Sequence, residues 1–462
     1  MKMERKNLWE VYNEAQLAEL EEVNKKYCSC LDAGKTEREC VRISIQMAEA
    51  EGYRNMNDLI REGAKLSAGD KVYMAYNEKA LALFNIGTEP LENGMNILGA
   101  HIDSPRIDLK QNPLYETDGF AYLDTHYYGG IKKYQWVAIP LALHGVVVKK
   151  DGTRVNVAIG ENENDPVLVI TDLLIHLAGE QMEKNAAKVV EGEKLDILIG
   201  NKPIAGEEKE AVKANVLALL KKTYDIEEED FLSAELEIVP AGKARECGLD
   251  SSMIMAYGQD DRVCAFTSLF ALLNVKDVKR TSCCLLVDKE EIGSTGASGM
   301  NSYLFENIVA ELVALTSDYS ELKVRRVLAN SKMLSSDVSA AFDPMFPEVF
   351  EKRNTAFFSK GIVFNKYTGS RGKNGSNDAN PEYIAELRKV MDDNNVSFQT
   401  AELGRVDAGG GGTIAYLMAM YGMDVIDSGV PVLSMHAPWE VTSKADVYET
   451  VRGYEAFLKA EF

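Results

Sequence analysis

The chain has 462 residues, 46% hydrophobic and 27% charged, the composition of an ordinary folded protein; it exceeds the size at which single cores stop growing, so two domains are expected. Its formal net charge of −21 excludes nucleic acid and anionic membrane as partners, because phosphate contacts need clustered Lys and Arg. The seven cysteines, at 28, 30, 40, 247, 264, 283 and 284, form no paired Cys-x-x-Cys spacing, the charged start from Met1 to Lys6 precedes no apolar h-region, and no run of 18 apolar residues occurs, which together predict a soluble cytoplasmic protein with reduced thiols.

Residues 8–47 carry Leu8, Val11, Leu17, Leu20 and Val23 at spacings of three or its multiples, which predicts helix, with a second helix over 37–51. Residues 96–101 read as a strand that delivers His101 and Asp103 at its end, where Pro105 stops the ladder. From 110 to 240 β-type runs dominate, at 134–143, 145–149 and 155–159, with Asp151-Gly152 as a hairpin turn and helices at 173–183 and 211–222. This block reads as an insertion, because strand-to-crossover sequence resumes after it. A strand at 253–257, a helix opened by Asp260-Asp261 and an apolar strand at 283–287 come next. A helix at 302–315, a strand at 326–330 leading to Asp337, a Gly/Asn/Ser-rich loop at 368–380 and a helix from Glu382 follow. A strand at 398–403 ends in glycines 409–412, which open another helix, and the last strand, 431–435, carries His436. Ser443 is expected to cap the closing helix.

Polar residues gather at the predicted strand ends: His101, Asp103, Asp261, Glu290, Glu291, Asp337 and His436. Two histidines with several carboxylates suit zinc, manganese or cobalt better than calcium, which wants oxygen alone. The count fits two ions, which lie roughly 3.5–4 Å apart in such sites and each need about four ligands. One histidine and one carboxylate apiece, a shared carboxylate and a bridging water supply that set. One carboxylate remains over, and a hydrolytic site uses it as the general base for the metal-bound water. An Asp two residues after His101 orients an imidazole from behind. Taken singly, these residues have plainer readings. Glu290-Glu291 alone is a solvated turn, one of Asp260-Asp261 is an N-cap, and the glycine run lacks the Gly-Lys-Ser/Thr ending of a phosphate loop, leaving close backbone approach or simple turn geometry.

Five stretches carry a family resemblance: His101-Ile102-Asp103-Ser104-Pro105, Gly258-Gln259-Asp260-Asp261-Arg262, Asp288-Lys289-Glu290-Glu291-Ile292-Gly293-Ser294, Ser335-Ser336-Asp337 and Leu433-Ser434-Met435-His436. In this order they resemble the motifs of the M18 metallo-aminopeptidases, the family of aspartyl aminopeptidase and vacuolar aminopeptidase I, and the chain is most similar to its bacterial subgroup. The resemblance implies an α/β fold: a mixed-sheet, three-layer α/β/α catalytic domain of the co-catalytic zinc exopeptidase type, over 1–106 and 243–462, with an inserted β-rich lid or dimerisation domain at 107–242. It implies one metal on His101, Asp261 and Asp337 and another on Asp261, Glu291 and His436, with Asp261 bridging, Glu290 as general base and Asp103 behind His101. It further implies two divalent ions, zinc first with cobalt and manganese as alternatives, and peptide substrates with a free N-terminus. The implied assembly is a homo-oligomer, a tetrahedral dodecamer built from dimers. His176 resembles a family histidine that reaches a neighbouring subunit's site, and Lys366 a substrate-binding lysine. Arg262, where better-known members carry Asn, and the 403–413 segment depart from the aspartyl branch and leave the preferred N-terminal residue open. Two competing readings remain. A related co-catalytic deacylase or carboxypeptidase would bind a substrate carboxylate with Arg262, Lys366, Arg371 or Arg405; the other is a non-catalytic, shell-forming protein of the same fold.

Overall fold

The computed structural model describes residues 6–462, so the charged start, apart from Lys6, lies outside the described residues. The chain divides into two compact units. The first comprises the described residues up to Asp103 with Ala244–Met435 and Glu440–Phe462; the second comprises Ser104–Lys243 and His436–Trp439.

The main sheet of the first unit has nine strands among the described residues. Its centre is parallel: Thr281–Val287, Met95–His101, Lys332–Ser336 and Asp424–Gly429 lie side by side in that order. Antiparallel neighbours flank this centre, Ala80–Asn85 on one side and Ile362–Asn365 on the other, which makes the sheet mixed. The central strands are buried on both faces, as their unbroken apolar sequence requires when helices cover both sides. Successive residues point to opposite faces. Leu98, Ala100, Cys284, Leu286 and Ile426 enter one core with residues of the helices Gln259–Asn274 and Lys444–Leu458. Ile97, Cys283, Leu285, Met333 and Val425 enter the other with residues of Leu304–Thr316 and Glu321–Ala329. This is the expected three-layer α/β/α arrangement. Cys283 and Cys284 therefore sit in different cores, and all seven cysteines are free.

A smaller sheet of the first unit runs in the order Arg245–Cys247, Met253–Ala256, Glu440–Ser443, Pro431–Leu433, Ser339–Ala340. The second unit is built on an antiparallel sheet in the order Arg154–Ile159, Leu141–Val148, Ala234–Pro240, Arg106–Thr117, Phe120–Tyr128, Ile197–Gly200. The Asp151-Gly152 turn closes its hairpin as expected: Lys149 N–H donates to the Thr153 carbonyl at 2.8 Å, and the Asp151 carboxylate accepts the Thr153 N–H at 2.8 Å.

Three expected elements differ. The strand expected at 134–143 begins only at Leu141, after a 3-10 turn at Lys133–Gln135. The helix expected at 173–183 is reduced to a 3-10 turn, Ile175–Leu177, and a single α turn, Gly179–Met182. Leu173, Leu174, Ile175 and Leu177 are exposed there, so no core face stabilises a longer helix. Residues 326–329 belong to the helix Glu321–Ala329, N-capped by Ser320, because Val324, Val327 and Leu328 recur at helical spacing and are buried; the strand starts at Lys332. At the closing helix Ser443 occupies the N-cap position without a capping bond; its hydroxyl pairs instead with that of Ser359 at 3.0 Å. No helix among the described residues is long and apolar enough to cross a membrane.

Candidate metal centre

Register brings the site together. In the parallel ladder Val287 lies opposite His101 and Ser335 opposite Gly99, so the residues just beyond these strands emerge along one sheet edge. That carboxyl edge is where open α/β sheets bind ligands. His101 ends its strand, Glu290–Ile292 forms a 3-10 turn beyond Val287, and Asp337 follows Ser336 directly. The turn is shaped by left-handed backbone at Lys289 (φ 70°) and Gly293 (φ 94°).

The imidazole of His101 is buried, with Nε2 3.3 Å from Asp260 Oδ1, 3.9 Å from Glu290 Oε2 and 4.0 Å from Asp337 Oδ1. Its Nδ1 faces Asp103, 3.0 Å from the carbonyl oxygen and 3.3 Å from Oδ1. Both atoms are acceptors, so Nδ1 donates and Nε2 is turned toward the carboxylates. The buried Asp103 carboxylate also accepts the backbone N–H groups of Glu290 and Glu291, each at 3.1 Å. One side chain thereby fixes both the imidazole and the acidic turn. Candidate ligand atoms of His101, Asp260 and Asp337 lie within 4.8 Å of one another, as do those of His101, Glu290 and Glu291.

The expected shared carboxylate, Asp261, is not the one that meets His101. Asp260 takes that place. The peptide between the two is cis. Asp260 is extended (φ −80°, ψ 109°) and Asp261 is not helical either (φ −114°, ψ 26°). One of the pair faces the imidazole while the other is fully buried in the protein. Both Asp261 oxygens are buried without a hydrogen-bond partner. Arg262 is also reassigned. It is fully buried, donates to the carbonyls of Ile102 (3.3 Å) and Lys35 (2.9 Å) and stacks over Tyr257, so it braces the backbone between His101 and Asp103 and is not a pocket for a substrate carboxylate.

The electrostatics call for a cation. Burial lowers the His101 pKa, but hydrogen bonds to Asp103 and Asp260 and the charge of Glu290 drive it well above the usual imidazole range. Burial pushes Asp261 and Asp337 far up, and neighbouring carboxylates add to it. Buried acids around one imidazole are strained without added positive charge, and the nitrogen-plus-carboxylate donor set suits zinc, cobalt or manganese. The residues present therefore fit a transition-metal centre.

His436 belongs to the second unit, where its Nδ1 lies 2.8 Å from the Gly130 carbonyl, at φ 65°. That carbonyl takes the Nδ1 proton and leaves Nε2 as a potential ligand atom. His176 lies on the exposed turn Ile175–Leu177 among exposed leucines. Lys366 is exposed and 3.4 Å from the Asp378 carboxylate. The glycine run packs backbone against backbone: Gly369 N–H donates to the Gly411 carbonyl at 2.6 Å, and a Cβ on Gly410 (φ +131°) would stand 2.1 Å from the Gly369 oxygen. Thr413, at its end, donates to buried Asp427 at 2.5 Å, whose pKa burial pushes up to about 7. Sequence reasoning missed Asp427, although an acid inside the buried strand Asp424–Gly429 is itself a signal.

A histidine ringed by carboxylates at the carboxyl edge of a three-layer α/β/α sheet defines a metallohydrolase. A family model described as aminopeptidase I zinc metalloprotease (M18) matches residues 30–458. A Clostridium acetobutylicum protein named probable M18 family aminopeptidase 1 is 62% identical over 456 residues, covering 98% of either chain. The crystal structure of an M18 aminopeptidase from Thermotoga maritima matches with a TM-score of 0.94 at 43% identity, over 99% of this chain and 100% of that one. That of aminopeptidase I from Clostridium acetobutylicum matches with a TM-score of 0.93 at 59% identity over 100% of both. The chain belongs to the M18 family and is a metallo-aminopeptidase, as the motif resemblance implied.

Proposed function

We propose that the protein removes the N-terminal residue of peptides using two divalent cations, zinc in the first instance, with Glu290 as general base. One ion would be held by His101, Asp260 and Asp337 and the other by Asp260, Glu291 and His436, so that Asp260, in place of Asp261, would be the carboxylate available to both. The observation that carries this reading is the approach of Asp260, Glu290 and Asp337 to Nε2 of one buried imidazole. When bound, the ions supply Lewis acidity that lowers the pKa of a water and polarises the scissile carbonyl.

The remaining steps fall to the chain. Glu290 takes the proton of the attacking water and passes it to the departing amine nitrogen. Asp103 holds the Glu290 and Glu291 N–H groups and the His101 Nδ1–H, so that base and ligands keep one geometry through turnover. Recognition of the free α-amino group at this site would make the reaction an exopeptidase one. The test is Glu290→Gln: turnover is lost while metal content stays at the wild-type level. Survival of activity removes Glu290 as the base. Aminoacyl against N-acyl substrates separates this reading from a deacylase or carboxypeptidase, whose carboxylate-binding candidates have lost Arg262 to burial.

In this reading the second unit, roughly the inserted 107–242 block, serves as lid and dimerisation domain of a homo-oligomer, with the family's dodecamer as the expected assembly. The exposed Leu173, Leu174, Ile175 and Leu177 around His176 support it, since clustered apolar side chains on a surface favour cover by another chain. His176 and Lys366 are proposed as substrate-side residues, and seven free thiols favour a cytoplasmic location.

A further inference from the structure

Asp288 opens the acidic motif, yet the proposed chemistry gives it no task. It is fully buried just beyond Thr281–Val287, two residues before Glu290. A buried carboxylate is costly unless it is bonded; Asp288 is bonded across its own loop through Oδ2, and its carboxyl also meets the buried Glu37 carboxyl at the start of the helix Glu37–Ala50. Its N–H donates to the Ser298 carbonyl at 3.2 Å, and the Ser298 hydroxyl donates to Oδ2 at 2.6 Å. The ammonium groups of Lys289 and Lys79 lie 3.3 and 3.8 Å from the same oxygen. Asp288 also forms a parallel bridge with Gly299, where a Cβ would come 2.3 Å from the Ser294 carbonyl oxygen, so only glycine lets the loop ends close. Between them Ser294 N–H donates to the Lys289 carbonyl at 2.7 Å. Glu290 itself is half-buried on a three-residue turn. Its direction depends on two anchors: Asp103, which holds its N–H from the neighbouring strand, and the Asp288–Ser298 closure of the loop that carries it.

We infer that Asp288, acting through Ser298, is a positioning residue that sets the acidic turn so that the Glu290 carboxylate meets the water it deprotonates. The inference rests on Glu290 being the base. Misplacing a reacting group by about 1 Å costs on the order of a hundredfold in rate, so slackening this closure acts on kcat. Steady-state kinetics of the zinc-loaded full chain on an aminoacyl p-nitroanilide compare Ser298→Ala, Asp288→Ala, Asp288→Asn and Glu290→Gln. Ser298→Ala and Asp288→Ala are expected to lose about ten- to a hundredfold in kcat, with KM within about twofold and metal content unchanged. Asp288→Asn, whose amide oxygen still accepts the Ser298 hydroxyl, recovers most of that loss. Ser298→Ala, a change of one hydroxyl, decides the matter if Asp288→Ala does not fold. Full kcat in Ser298→Ala, a loss expressed in KM or metal content instead, or no recovery in Asp288→Asn overturns the inference. An active Glu290→Gln overturns it together with the assignment of the base; an inactive one beside full kcat in Ser298→Ala overturns the role of Asp288 alone.

Discussion

Two adjacent acids with opposite surroundings give the sharpest test of the centre. Asp260 Oδ1 lies 3.3 Å from His101 Nε2, whereas both Asp261 oxygens are buried with no hydrogen-bond partner. Replacing Asp260 by Asn removes a charged ligand that both ions share in the proposed centre. Loss of a residue that merely orients a ligand costs about 10- to 100-fold in metal affinity, so loss of the shared ligand should exceed about 100-fold, or about 2.7 kcal/mol at 1.36 kcal/mol per tenfold. Replacing Asp261 by Asn leaves the proposed ligand set untouched. Its cost is that of burying amide hydrogens without acceptors, about 1–3 kcal/mol of fold stability, with metal affinity changed by less than about tenfold. The assay is metal stoichiometry by mass spectrometry after dialysis against graded chelator, paired with thermal melts and aminoacyl p-nitroanilide hydrolysis. Asp260→Asn should release metal at chelator levels that leave wild type loaded, and lose activity with it. Asp261→Asn should melt earlier yet keep its metal. The reverse pattern, metal lost from Asp261→Asn and retained in Asp260→Asn, would refute the assignment of the shared carboxylate.

Further outcomes follow from the same geometry. Asp103→Ala removes the acceptor of two backbone N–H groups and of His101; metal affinity should fall by about 10- to 100-fold, and a titration showing wild-type affinity would deny Asp103 its role. Gly410→Ala would set a Cβ 2.1 Å from the Gly369 oxygen; the interlocked loops must part, and limited proteolysis should cut at 369–376 or 403–412 faster than in wild type. Chelator treatment should abolish hydrolysis while leaving the far-ultraviolet circular dichroism in place, because the sheet core is apolar on both faces; zinc should restore activity, with cobalt and manganese as comparators. Away from the centre, burial raises Asp446 from 3.8 to about 7, against the N–H groups of Ser359 and Gly361 that it accepts. A raised folded-state pKa means that its contribution is full below pH 3.8 and is lost as pH climbs through 7. The displacement is worth on the order of 4 kcal/mol, so wild type should lose stability relative to Asp446→Asn from pH 5 to pH 8; a constant difference would refute it.

The parts of this fold that were legible in the sequence are those written as local pattern. The continuous apolar runs ending in His101 and before Asp288 declare strands buried on both faces, and polar residues directly after such strands declare a site at the sheet edge. The motif order then named the family. What was not legible depends on backbone direction and on partners far away in sequence. Nothing in Gln259-Asp260-Asp261-Arg262 says which carboxylate turns toward His101, because the backbone there is held from outside by Glu440, whose carboxylate accepts the Asp260 N–H at 3.0 Å. Arg262 reads as a substrate cation in sequence and becomes a buried brace because the carbonyls of Ile102 and Lys35, 160 and 227 positions away, converge on it. The stretch around His176 has helical composition but no apolar partner surface within this chain, so it stays a short exposed turn. In each case the residue type was visible and its direction was not. The proposed separation of Asp288-Lys289-Glu290-Glu291 into anchor, base and ligand therefore rests on the backbone that aims each side chain, and the kinetic comparison of Asp288, Ser298 and Glu290 variants measures that separation directly.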